Sequence, residues 1–100
     1  MEISKEQNEV LKDAIATFGQ NDQLDMVKEE CAELIVEVCK FKRRRTSNLT
    51  EEVADVFIMI KQLELMVDNP EEIQEVINRK IARLNCRIAD HKKKNNAQRI

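Results

Sequence analysis

Turn-formers and aromatics are nearly missing from this chain. It has one glycine, one proline, no tryptophan, no tyrosine and three phenylalanines in 100 residues. Sheets depend on tight turns and favour β-branched and aromatic side chains, so this scarcity argues against them. Long apolar runs are absent too: no stretch approaches a membrane span, and no signal-peptide pattern is seen. Charge is not weighted to one sign. Seventeen basic residues stand against nineteen acidic ones, a balance that does not suggest a nucleic-acid binder. Histidine occurs once, as His91, and the three cysteines (Cys31, Cys39 and Cys86) form no CxxC motif and cannot all pair. These observations lead us to expect one all-α domain spanning 1–100, with reduced thiols, in the cytoplasm.

What is present is helical periodicity. Ser4 and Gln7 resemble a capping box, and Gly19 is placed to end a first helix with the stripe Val10, Leu11, Ala14, Ile15 and Phe18. Asp22 is the expected cap of a second helix, whose core face reads Leu24, Val27, Cys31, Leu34, Ile35 and Val38. Cys31 and Cys39 fall on its apolar side, as small hydrophobes. A third helix, capped by Asn48 with Glu51, has Val53, Val56, Phe57, Ile60 and Leu63 on its buried side. Asn69, Pro70 and Glu72 mark the start of a fourth, which carries Ile73, Val76, Ile77, Ile81, Leu84 and Ile88. The expected architecture is a compact four-helix bundle.

Carboxylates on the shoulder of those stripes give the first functional signal. Glu29, Glu30 and Glu33 form EExxE, and Glu52 with Asp55 forms ExxD. At ~100° per residue, Glu33 lies at ~−60° and Glu37 at ~−20° from Glu30, beside an apolar range of ~+40° to ~+140°. Asp55 lies at the same angle from Glu52, with the apolar residues of its helix in the same range. Carboxylates beside a core are unfavourable unless a cation neutralises them. Residues three apart on a helix can grip one ion. Four oxygen donors without His or Cys select Mg²⁺ first and Mn²⁺ next, whereas zinc prefers nitrogen and sulfur. Mg²⁺ also keeps positions open for substrate phosphates. Either motif alone occurs often on solvated faces; their matched phase on consecutive antiparallel helices makes the pair more specific.

From Phe18-Gly19 and Gln23 through MVKEECAELIVEVCK, NLTEEVADVFIMIKQLE and RKIARLNCRI, the chain resembles the MazG-like all-α nucleoside triphosphate pyrophosphohydrolases of bacteria and phages. The resemblance implies hydrolysis of a (deoxy)nucleoside triphosphate to the monophosphate and pyrophosphate. It implies Glu30, Glu33, Glu52 and Asp55 as Mg²⁺ ligands, with Glu29 and Glu37 as catalytic candidates that support the ligands or orient the attacking water. Asn78, Lys80 and Arg83 match an N-x-K-x-x-R segment that contacts the substrate's phosphates. No Gly-rich phosphate cradle is present, which excludes a P-loop enzyme.

Two other functions compete: a phosphoribosyl-ATP pyrophosphohydrolase, and a non-catalytic helical interaction module. Against the first, the Tyr-His expected after the ExxD aspartate is replaced by Phe57-Ile58-Met59-Ile60. Ile58, Leu65, Met66 and Val67 lie off the main stripe of helix three, which points to a homodimer through helices two and three, with a tetramer left open. One geometric condition remains. If helix two ran to Arg45, the two acidic motifs would be misaligned by up to ~10 Å at 1.5 Å per residue. We therefore expect helix two to end near Phe41 or Lys42, with Arg43–Asn48 as a returning loop.

Overall fold

The computed structural model describes residues 1–98. Four helices follow one another: α1 (Lys5–Phe18), α2 (Gln20–Lys42), α3 (Leu49–Met66) and α4 (Glu71–Gln98), with no strand among the described residues. The fold is all-α, as the composition implies. Two compact units are present, Met1–Val67 with α1, α2 and α3, and the chain from Asp68 onward with α4.

In the first unit the helix boundaries follow from local chemistry. Ser4 accepts from the Gln7 amide at 3.1 Å, while its own N–H donates to Gln7 Oε1 at 2.8 Å, completing the capping box. Gly19 (φ +93°, ψ 149°) occupies a region that side-chain-bearing residues avoid. Its N–H donates to Ile15 O and its carbonyl accepts from Gln23 N–H, so this one residue ends α1 and opens α2. The expected cap at Asp22 is thereby corrected. Gly19 starts the helix three residues earlier, and Asp22 instead places its charge in the first turn.

The other end of α2 stops where the register condition demanded. Arg45 N–H donates to Lys40 O and Arg44 N–H to Phe41 O, with Arg44 in the left-handed region at φ +57°. This closing turn usually takes glycine at the left-handed position. Asn48 is the N-cap of α3, yet its side chain makes no capping bond, contrary to the expectation from Asn48 and Glu51. At the start of α4, the carbonyls of Asn69 and Pro70 accept from Glu72 and Ile73 N–H.

The principal seam of this unit lies between α2 and α3, with α1 against both. Met59, Gln23, Glu37 and Gln62 are the only buried side chains among the described residues, and the three polar ones are not the expected core. Gln23, Glu30 and Glu37 are spaced by sevens along α2, and Glu52, Asp55, Met59 and Gln62 by threes and fours along α3. Each set is one stripe of its helix. The deepest burial follows these stripes, while Leu24, Val27, Leu34, Val56, Phe57 and Leu63 of the apolar faces are half-buried. Ile35, Val38 and Ile60, all expected in the core, are exposed, as are Cys31 and Cys39. On α1, Val10 and Phe18 are exposed as well.

Candidate metal centre

The hairpin of α2 and α3 sets EExxE across from ExxD. Single carboxylate oxygens of Glu30, Glu33 and Glu52 all lie within 4.8 Å of one another. Glu30 and Glu52 are half-buried, and Glu33 opens to solvent. Glu30 Oε2 and Glu52 Oε2 are buried with no hydrogen-bond donor. An anionic oxygen removed from water without a donor is costly, so this arrangement is stable only if protons or a cation occupy it.

The titration of the cluster expresses that strain. Glu30 is pushed up from the ordinary 4.5 to about 7, first by burial, then by the negative charges of Glu33, Asp55 and Glu52, and last by a hydrogen bond with Glu52. Glu52 is also raised, first by burial and then by Glu33 and Asp55, while its hydrogen bond with Glu30 lowers it. Asp55 thus acts on both glutamates through its charge, although its carboxylate is outside the 4.8 Å group.

A hard divalent cation suits these donors. They are all carboxylates, Glu30 and Glu52 each carry a buried oxygen without a donor, and Glu33 is exposed to solvent, as an ion shared with a substrate requires. Of the remaining expected residues, Glu29 is exposed next to Glu30 and outside the cluster. Glu37 is buried, and its oxygens accept from Lys40 Nζ and from the Asn48 N–H, both at 3.2 Å.

Asn78, Lys80 and Arg83 are exposed on α4, in the other unit. Asn78 accepts from Gln74 Nε2 at 2.9 Å. Lys80 and Arg83, three apart, share a face, but Asn78 is turned ~160° from Lys80 at ~100° per residue. The N-x-K-x-x-R segment therefore splits into a basic pair and a separate amide.

One turn from Glu30 and Asp55, away from the loop, Met26 and Met59 begin an open concavity of about 540 Å³, which Phe18, Asp22, Gln23 and Asp25 complete. A second concavity, of about 600 Å³, lies among Ile3, Leu49, Val53, Phe57 and Ile58; none of the clustered carboxylates lines it. Reading apolar residues as core missed Gln23 and Gln62. Their seven-residue spacing from Glu30 and Asp55 was the available signal, because it sets them on the same stripes as the ligands. Comparison with protein-family models, with curated proteins and with solved structures found no match to the chain.

Proposed function

We propose that the protein is a cytoplasmic, Mg²⁺-dependent nucleoside triphosphate pyrophosphohydrolase that works as a homodimer. One observation carries the reading: three carboxylates from two helices converge within 4.8 Å, with two buried oxygens lacking donors. A hydrogen-bonded structural network would satisfy those oxygens. A site built to take a cation leaves them for it.

Glu30, Glu33 and Glu52 would hold the ion, and Asp55 adds negative charge from the same stripe as Glu52. When bound, Mg²⁺ offsets the charge of the phosphate chain and acidifies a water for attack at phosphorus. A cation bound there would favour the charged form of Glu30, which burial and its neighbours otherwise oppose. Glu29, exposed beside Glu30, is the proposed group that orients the attacking water. The concavity of Met26, Met59, Gln23 and Phe18 offers apolar surface and an amide to a nucleoside whose phosphates lie at the carboxylates. The dimer rests on the apolar side chains that one chain leaves open on α2 and α3, among them Ile35, Val38, Phe41 and Ile60.

The test is pyrophosphate release from the deoxy- and ribonucleoside triphosphates and from phosphoribosyl-ATP, with Mg²⁺ and with chelator. We expect Mg²⁺-dependent release from at least one triphosphate, and its loss in Glu33→Gln. Release only from phosphoribosyl-ATP moves the protein to the second enzymatic reading. No release from any substrate refutes the proposal.

A further inference from the structure

The carboxylate of Glu37 stands apart from the metal cluster, one turn nearer the loop. Oε2 accepts from the Asn48 N–H and Oε1 from Lys40 Nζ, each at 3.2 Å. Asn48 is the N-cap of α3, and its own side chain caps nothing. The N-cap donor of α3, the Asn48 N–H, is therefore met from another helix. An anion at a helix N-terminus is favoured by the aligned peptide dipoles.

The next bond in line reaches the site itself. Asn48 O accepts from the Glu52 N–H at 3.0 Å. A chain of contacts thus runs from the Glu37 carboxylate, through the Asn48 peptide, to the backbone of a proposed ligand. On α2, Glu37 lies four residues past Glu33; on α3, Asn48 lies four residues before Glu52. One turn on each helix separates this clamp from the ligands, so fixing Asn48 against Glu37 sets Glu52 across from Glu33.

We infer that Glu37 is a positioning residue: its carboxylate clamps the N-terminus of α3 to α2 and so sets the register in which ExxD faces EExxE. This rests on the metal-centre reading only for its consequence, cation affinity; the clamp itself is a property of the metal-free hairpin. Glu37 takes no part in proton transfer, because both oxygens are already engaged and the carboxylate is buried.

Two substitutions separate reach from charge. Glu37→Gln keeps the length and an acceptor oxygen for the Asn48 N–H, without the charge. Glu37→Asp keeps the charge but is one methylene short. Amide hydrogen exchange on the metal-free protein reads the clamp directly. We expect the Asn48 and Glu52 amides to stay protected in Glu37→Gln and to exchange at least tenfold faster in Glu37→Asp. Titration calorimetry with MgCl₂ reads the consequence. The dissociation constant should rise about tenfold in Glu37→Asp and stay within about twofold in Glu37→Gln, the scale on which groups supporting a ligand act.

Equal protection of both amides in wild type and Glu37→Asp overturns the inference. So does a Glu37→Gln protein that loses all pyrophosphate release while binding Mg²⁺ normally, since that is the behaviour of a general base. A wild-type protein that takes up no Mg²⁺ refutes the metal centre, whereas the exchange data still decide the clamp.

Discussion

Replacing Gln62 with leucine should make the protein more stable. Gln62 is the least exposed of the buried side chains, at 3% relative exposure, and its Oε1 is buried without a donor. An orphaned buried acceptor costs about 1–3 kcal/mol, and an apolar group of similar shape removes that cost. Leucine also adds buried apolar surface beside Met59, one turn away on the same stripe. For a domain of this size, 1 kcal/mol shifts Tm by about 4–8 °C. We expect Tm to rise by about 5–10 °C. The assay is thermal denaturation followed by circular dichroism, metal-free and at one fixed protein concentration, because association would shift the midpoint. Gln62→Glu provides the opposite sign, burying a charge with no partner. Met59→Ala sets the scale of a lost core contact, about 2–5 kcal/mol. If Gln62→Leu lowers Tm as far as Met59→Ala does, then Oε1 has a partner in solution and the accounting of the seam is wrong.

Further outcomes follow from the site and its loops. The Glu30 carboxyl, raised to about 7 by burial and then by Glu33, Asp55 and Glu52, binds its proton more tightly folded than unfolded. The metal-free protein should therefore be most stable below pH ~4.5 with respect to this group, and lose that contribution as pH rises toward 7. Melting curves between pH 5 and 8 check this: Glu30→Gln should flatten the slope, MgCl₂ should restore stability at pH 8, and an unchanged slope in the variant would assign it to another group. At the turns, Gly19→Ala should lower stability by about 1–3 kcal/mol, since φ +93° with ψ 149° suits only glycine. Arg44→Gly should raise it by about 1 kcal/mol by relieving the left-handed φ of +57°. Denaturant midpoints decide both, and the same sign for the two substitutions would refute the backbone argument.

Much of this molecule was legible in one dimension because it is governed by local chemistry. The capping box of Ser4 and Gln7 involves neighbours three residues apart, and the glycine break at residue 19 is a single backbone conformation. The end of α2 at Lys42 also agrees with the expectation, which came from requiring the two acidic motifs to align. The matched phase of Glu30–Glu33 and Glu52–Asp55 is fixed by helical geometry alone. Asp22 failed as a cap for an equally local reason: Gly19 could serve as the end of one helix and the start of the next.

Only the tertiary structure decided which edges of α2 and α3 meet. Periodicity identifies an apolar stripe and an acidic edge on each helix, but not which of them the neighbour within the same chain covers. Here the polar side supplies the deepest burial, at Gln23, Glu37 and Gln62, while Ile35 and Ile60 are open. The proximity that lifts Glu30, and the reach of Glu37 to the Asn48 amide eleven residues away, likewise depend on two helices meeting in space. The sequence by itself determined the helices and the phase of their carboxylates, because both are set by contacts within a few residues. The convergence of those carboxylates was decided by the packing of the hairpin, because desolvation and charge repulsion act between groups distant along the chain.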